Sequence, residues 1–294
     1  VHILVTNDDG IDSPGIQVLA RHLHRAGHQV LVVAPSTDWS GAGAALGAFR
    51  PDEQFEVTRV EIDGAPEIEA WALAGTPAAT VVAASLGAFG PAPDAVVSGI
   101  NAGLNTGRSV LHSGTVGAAL TGQNFGLSGL AVSVASADVW QWDSAAAIAV
   151  EVLDILVTAP ARSVLNLNVP ALPRDQVRGI RWARLAPFGA VRAAVRGTPG
   201  QNLHFALEAT AYEPAADTDQ GLVQAGYASL TTLVGVVEAW PPDMGASIDG
   251  RTGPDGPLPV TERIVPGAPL HPVHRVPDGR EHRTLRRPEL GDHR

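Results

Sequence analysis

Val1-His2-Ile3-Leu4-Val5-Thr6-Asn7-Asp8-Asp9-Gly10-Ile11-Asp12-Ser13-Pro14-Gly15 decides the fold. The first six positions are nearly all apolar and too few for a helix turn to repeat, which is the pattern of a strand buried on both faces. Asn-Asp-Asp-Gly then breaks the run with turn residues. From Gly15 to Ala26 the apolar residues Ile16, Leu19, Ala20 and Leu23 recur at helical spacing. Gln29–Ala34 is the next strand, ended by Pro35. Strand, turn, helix, strand is a crossover unit, and such units build a parallel sheet with right-handed connections.

Working outward, the alternation continues. Pro77–Phe89 reads as a helix, Asp94–Ser98 as a strand, Thr115–Phe125 as a helix, and Leu130–Val134 as a strand. Ser144–Val157 is a further helix and Ser163–Val169 a strand before Pro170. The fold class is α/β, a Rossmann-like doubly wound and mostly parallel sheet. From about Ile180 the rhythm changes: Ile180–Leu185, His204–Thr210 and Ser229–Val234 read as strands without helices between them, which suggests an antiparallel or hairpin section. Beyond Gly245, stretches such as Arg251–Pro259 and Pro266–Pro277 carry too little apolar periodicity to build a core. The expected organisation is one α/β domain over 1–245, with a core of about 1–180 and a hairpin section of about 181–245, followed by an extended or disordered tail over 246–294.

Composition narrows the function. The 294 residues are 45% hydrophobic but only 5% aromatic, so Ala, Val, Leu and Gly fill the interior, as suits helices packed closely on a sheet. Twenty basic residues, all Arg, face 30 acidic ones for a net charge of -10. Bulk charge of that sign argues against gripping a nucleic-acid backbone or an anionic membrane, and no stable nucleic-acid complex is expected. One local site can still hold a small phosphorylated ligand. Cysteine is absent, which removes disulfides, thiolate zinc sites and cysteine nucleophiles. No stretch reaches the ~20 apolar residues of a membrane span; the longest contender, Ala145–Val157, is broken by Glu151 and Asp154. With a strand at its start and no basic-then-apolar leader, the chain is expected to be soluble and cytoplasmic.

Four segments carry chemistry. In open α/β sheets ligands gather at the carboxyl ends of strands, where Asp8 and Asp9 sit. Adjacent carboxylates repel unless a cation or a proton lies between them, and hard oxygen donors select Mg²⁺, Mn²⁺ or Ca²⁺ over zinc. The bland alternative is an ordinary turn. After the second strand, Asp38-Trp39-Ser40-Gly41-Ala42-Gly43 offers the Ser40 hydroxyl on a loop; its Gly41-x-Gly43-x-x-x-Gly47 spacing follows the wrong strand for a dinucleotide fingerprint. The third segment, Pro93 to Gly107, runs from a strand into a loop rich in Gly and Asn, where Asn101 and Asn105 offer neutral oxygens to a metal or donors to an anion. The fourth, His112-Ser113-Gly114-Thr115, opens a helix: Ser113 and Thr115 cap it, or with the free N–H groups they form an anion site. His112 is a capping or packing residue before it is a proton donor. Together the segments describe metal-assisted hydrolysis of a phosphomonoester.

The same segments resemble the SurE (survival protein E) family of 5′/3′-nucleotidases. The resemblance rests on Asn7-Asp8-Asp9-Gly10, Pro14-Gly15-Ile16, Ser40-Gly41-Ala42, Gly75-Thr76-Pro77, Val97 to Asn105, and Ser113-Gly114-Thr115-Val116. Asn166-Leu167-Asn168-Val169-Pro170, Thr218-Asp219 and Gly226-Tyr227-Ala228-Ser229 follow in order, so it covers residues 1 to about 235. It implies hydrolysis of nucleoside 5′- and 3′-monophosphates, a swapped hairpin that builds a homodimer or homotetramer, and one divalent cation per subunit, Mg²⁺ or Mn²⁺, with Ca²⁺ an occupant in crystals. By motif, Asp8 and Asp9 are the catalytic pair; Asp8, Asp9, Ser40 and Asn101 are the metal ligands; Asn105, Ser113, Gly114 and Thr115 surround the phosphate. The chain departs from the family where an Asp-Cys pair is replaced by Ala79 and Thr80, where a common Tyr is His112, and where Ser-x-Thr-Pro-Leu becomes Ser229-Leu230-Thr231-Thr232-Leu233. A nucleotide-binding or sensing protein with little turnover is the alternative. An NAD(P) oxidoreductase and an aspartyl-phosphate mechanism fit less well, the latter because its carboxylates normally stand two apart.

Overall fold

The computed structural model describes residues 1–47, 54–187, 191–196, 204–209 and 213–237. The tail read over 246–294 lies outside them. In chain order the elements are β1 (His2–Thr6), α1 (Pro14–Arg25), β2 (Gln29–Pro35), β3 (Val57–Val60), β4 (Glu69–Leu73), α2 (Pro77–Ser85), β5 (Ala95–Ala102), α3 (Gly114–Asn124), β6 (Ser128–Val134), α4 (Trp142–Thr158), β7 (Val164–Val169), β8 (Ile180–Trp182), β9 (Val191–Arg196), β10 (His204–Ala209), α5 (Asp219–Gln224) and β11 (Ala228–Leu233). Among the described residues no helix is long and apolar enough to cross a membrane.

Nine strands form one sheet in the order β3-β4-β2-β1-β5-β6-β7-β11-β8. From β4 to β7 every neighbouring pair is parallel. Numbered among themselves, these strands stand in the order 3-2-1-4-5-6, the doubly wound arrangement in which the chain reverses direction between its first and fourth strands. Here that switch lies between β1 and β5, whose residues pair from Ile3↔Ala95 to Thr6↔Ser98. Crossovers to one side of β1 and to the other diverge at this point, opening a crevice above the strand ends.

Alternation along β1 divides the interior. Ile3 and Val5 join the core built with Ile16, Leu19 and Leu23 of α1 and Ile148, Val152, Leu153 and Leu156 of α4. Leu4 points the other way, to Val81 and Ala84 of α2 and Ala118 of α3. Both faces are covered, which explains why these strands lack a polar face. Burying a residue such as fully enclosed Leu4 stabilises the fold by about 2 kcal/mol.

Three features go beyond the sequence reading. The strands β3 and β4 were not anticipated; β3, at the edge of the sheet beside β4, is largely exposed over Val57–Val60 and carries no buried pattern. β5 runs on to Ala102 through the segment read as loop, with a register shift between Ser98 and Asn101. The cause is Gly99: a Cβ there would stand 2.3 Å from the Val132 carbonyl oxygen, so only glycine lets β5 press this close to β6. Finally, the section after Ile180 is not wholly separate. β9 and β10 do form their own antiparallel pair. β11, however, inserts antiparallel beside β7 and brings β8 with it into the main sheet. The short helix α5 precedes β11, capped by the Thr218 hydroxyl, which accepts from Gly221 N–H at 3.2 Å.

Candidate active site

The turn after β1 is fixed before any ligand arrives. Asn7 is fully buried; its Nδ2 donates to the Gly10 carbonyl at 2.8 Å and to Ser13 Oγ at 2.7 Å, closing the turn onto the start of α1. Its Oδ1 is buried without a partner among the described residues. One residue on, Asp8 is 3% exposed and faces the first turn of α3. Thr115 Oγ1 donates to Asp8 Oδ1, and the backbone N–H groups of Thr115, Asp8 and Gly114 also favour its ionised form. Burial outweighs them and raises the Asp8 pKa.

Gly114 is glycine for want of room. A Cβ there would lie 2.6 Å from Asp8 Cβ and 2.8 Å from Asp8 Oδ2. The α3 terminus and the carboxylate are therefore in direct contact. The Ser113 hydroxyl caps the helix, accepting from Val116 N–H at 3.1 Å, and so keeps its own hydrogen to donate. Thr115 is fully buried and its hydroxyl hydrogen is committed to Asp8.

Asp9 is less enclosed. Burial, then repulsion from Asp8, then from Asp38 push its pKa up to about 6, against a backbone N–H from Ala102 that favours the charged form. That last contact ties β1 to the end of β5. There Asn101 Nδ2 donates to the Gly103 carbonyl at 2.7 Å, which turns Oδ1 away as an acceptor with no hydrogen bond among the described residues. The loop after β2 closes the remaining side. Trp39 N–H donates to the Asp8 carbonyl at 2.8 Å, and Asp38 Oδ1 accepts from both N–H and Oγ of Ser40 at 2.7 Å. Gly43 N–H meets the His112 carbonyl at 3.1 Å, binding this loop to the turn before α3. His112 itself is exposed.

Asn105 is held from behind. Its N–H donates to Asn168 Oδ1 at 2.8 Å, and its carbonyl accepts from Asn166 Nδ2 at 2.8 Å and Asn168 Nδ2 at 2.9 Å. Its own Nδ2 donates to Ser133 Oγ at 2.9 Å, leaving one amide hydrogen and Oδ1 uncommitted. The elements carrying Asp8, Asp9, Ser40, Asn101, Ser113, Gly114 and Thr115 thus meet at the mouth of the switch point, while Asn105 faces it from the β6–β7 side.

This donor set has a definite chemistry. Among the described residues no three His, Asp or Glu side chains gather closely enough to hold a metal. An ion here would rely on the paired carboxylates and neutral oxygens, a set that suits Mg²⁺, Mn²⁺ or Ca²⁺. Both carboxylates have raised pKa values, so the pair does not easily carry its full charge alone, and a cation would relieve it. A cavity of about 470 Å³ lies elsewhere, lined by Arg178, Gly179, Ile180, Arg181, Trp182 and Tyr227 at the β8 edge. Arg178 and Arg181 stack on the Tyr227 ring, 4.6 and 4.4 Å from its centroid, and no carboxylate lines the wall. It is distinct from the strand-end site.

The departures Ala79 and Thr80 fall behind the site. Ala79 packs in the apolar layer beneath α2. The Thr80 hydroxyl donates to the Pro77 carbonyl at 2.6 Å and lies 2.8 Å from the Thr6 hydroxyl at the end of β1. Asn166, Asn168 and Ser133 were given no role from sequence. The signal for the two asparagines was present: polar residues alternating within an otherwise apolar strand demand partners.

Comparison with known proteins places the chain in a family. The family described as survival protein SurE matches residues 3–192. A 5′-nucleotidase SurE from Chloroflexus aggregans is 41% identical over 240 residues, 79% of this chain and 92% of the relative. A 5′/3′-nucleotidase SurE from Erwinia tasmaniensis is 39% identical over 248 residues, covering 79% and 90%. The crystal structure of a SurE protein from Aquifex aeolicus superposes with a TM-score of 0.68 at 27% identity, covering 85% of this chain and 99% of that one.

Proposed function

The chain belongs to the SurE family, and on that premise we propose that its strand-end site hydrolyses nucleoside monophosphates with the help of one divalent cation, Mg²⁺ or Mn²⁺. Phosphomonoester hydrolysis of nucleotides is the activity of its named relatives. The observation that carries the reading is the meeting of Asp8 and Asp9 at the switch point, with the Asp9 pKa pushed up to about 6 by burial and its acidic neighbours. Asp8, Asp9, Ser40 and Asn101 would hold the ion, Asn101 through its uncommitted Oδ1. When bound, the ion supplies positive charge opposite the phosphoryl oxygens.

The protein's own part is orientation. Thr115 and the α3 terminus hold Asp8 in one pose, and Ala102 N–H does the same for Asp9. Ser113 retains a hydroxyl hydrogen and Asn105 an amide hydrogen to give to phosphate oxygens, while Gly114 keeps the approach free of a side chain. Water attacks phosphorus in line with the ester oxygen. The new P–O bond forms as the old one breaks, and the proton lost by water ends on the departing nucleoside hydroxyl.

The replacements Ala79 and Thr80 favour the hydrolase over a sensing protein without turnover, because they complete the interior and leave the carboxylate pair untouched. We also assign the β9–β10 pair to assembly, as a homodimer or homotetramer: among the described residues these strands pair with each other and with no strand of the main sheet. The test is phosphate release from 5′- and 3′-AMP and GMP with Mg²⁺, Mn²⁺ or chelator. Turnover that chelator abolishes and either metal restores is expected; nucleotide binding without release at high protein concentration overturns the reading. Light scattering reads the assembly.

A further inference from the structure

The loop between Asn105 and Ser113 carries one short 3-10 helix, Gly107–His112, whose first N–H groups have no partner within it, and yet Thr106 is 1% exposed and Gly107 is buried. What holds it comes from the far end of the chain. Gly107 N–H donates to Asp219 Oδ2 at 2.7 Å. The other oxygen, Oδ1, accepts from Ala186 N–H at 2.9 Å and from Gln220 N–H at 2.8 Å. Asp219 is fully buried, and its own N–H donates to the Arg184 carbonyl at 2.8 Å. Ala186 is buried too and stands in the stretch that leads from β8 into β9. One carboxylate thus grips the substrate loop with one oxygen and the root of the two-stranded arm with the other.

We propose that Asp219 is a positioning residue for the reaction: it sets the height of the Asn105–Ser113 loop and links that loop to the root of the β9–β10 arm, so that ligand held by the loop also steadies the arm root. The inference rests on the assignment of Asn105 and Ser113 to the phosphate. Physically it follows from acceptor count. The loop and the arm root each present a buried N–H that needs a partner, and a buried donor left unpaired is costly enough that neither moves alone. Asn166 and Asn168 fix Asn105 from β7 in the same way, and Gly43 N–H holds the His112 carbonyl at the other end, so Gly107 carries the buried tie between them.

Asp219→Asn keeps the shape and removes one acceptor. Its single oxygen best serves the paired donors Ala186 and Gln220, which turns the NH₂ group against Gly107 N–H. The expected result is faster deuterium exchange confined to the 103–113 amides, with β1 and β2 unchanged. KM for AMP and the inhibition constant of inorganic phosphate should rise about tenfold, the worth of about one hydrogen bond, with a smaller fall in kcat. In the wild type, the Gly107 and Ala186 amides should exchange as slowly as core strands, although Gly107 is the first residue of a short 3-10 helix, where its N–H has no partner within the helix, and Ala186 lies outside helices and sheets. Inorganic phosphate with Mn²⁺ should slow both further.

Exchange accelerated throughout the variant with KM unchanged would make Asp219 merely structural and overturn the proposal, as would unchanged exchange. Should the variant fail to fold, wild-type exchange decides: open-loop rates at Gly107, or slowing of Gly107 without Ala186, overturn it equally. A wild type that releases no phosphate from nucleotides sinks the activity and not this link, since the slow amides are read without turnover.

Discussion

Two acidic turns in this molecule bury their carboxylates to opposite ends. Asp219 is fully enclosed, and its oxygens accept three backbone N–H groups between them. At the end of β1, Asp8 and Asp9 sit side by side; burial raises both pKa values by more than the groups donating to them offset, and repulsion from Asp8 adds to the rise at Asp9. The first arrangement leaves nothing for a ligand to do and holds a loop in place. The second is left in electrostatic want, which a cation would satisfy. Buried acid alone does not mark a reactive site; incomplete compensation does.

The sharpest way to break this contrast is to satisfy the pair artificially. Asp9→Asn removes the repulsion on Asp8 and one charge from the donor set. The fold should persist, while kcat/KM for AMP drops about a thousandfold, equivalent to about 4 kcal/mol of transition-state stabilisation. Full activity in this variant would remove the carboxylate pair from the chemistry. Next in size is Gly114→Ala. Its Cβ would sit 2.6 Å from Asp8 Cβ, so Asp8 must rotate off Thr115 or α3 must retreat. Activity should fall about a hundredfold, with about 1–3 kcal/mol lost in urea unfolding from the overpacking. A variant as active and stable as wild type would show that the contact between α3 and Asp8 is not needed.

How legible this was depended on range. The β1 pattern, the turn and α1 are local, and the doubly wound class follows from repeating that unit, so Asp8 and Asp9 were found at a strand end from periodicity alone. The Ser113 cap was local too. Thr115 was assigned to phosphate, whereas the structure commits its hydroxyl to Asp8, a partner 107 residues away that no spacing encodes. Asn105 was singled out but its restraints were not, because Asn166 and Asn168 act across the sheet. Asp219 entered from sequence only within the Thr218-Asp219 motif, and its donors at Gly107 and Ala186 only meet when β11 folds back beside β7. Exposed β3 carried no pattern to detect.

The charge deficit of the pair also predicts a pH dependence. In the folded protein Asp9 titrates at about 6, above the value near 4 of an unfolded aspartate. Between these values the native state binds more protons, so this contribution to stability is full below about pH 4 and is lost as pH rises through about 6. Without metal, the melting temperature of wild type should therefore decline over this window relative to Asp9→Asn. Mn²⁺ competes with the proton, and the gain in melting temperature it gives should grow as pH rises past about 6. A metal-induced gain that is flat from pH 5 to pH 7.5 would separate Asp9 from the cation.

The smallest effect comes from the acid nearest in sequence to the satisfied one. Asp217 accepts from Arg184 at 2.6 and 2.9 Å, a shorter pairing than several in the active site, but both side chains are more than half exposed. Water and salt screen such a pair, and it contributes about 0–1 kcal/mol. Asp217→Asn should shift the unfolding free energy by less than about 1 kcal/mol, and leave KM for AMP and the exchange of Gly107 as they are. The backbone link there, Arg184 N–H to the Asp217 carbonyl at 3.1 Å, survives the substitution. A large change in KM would mean that the loop is held by the charge of the whole turn and not by the oxygens of Asp219, and the contrast between satisfied and unsatisfied carboxylates would have to be redrawn around Arg184.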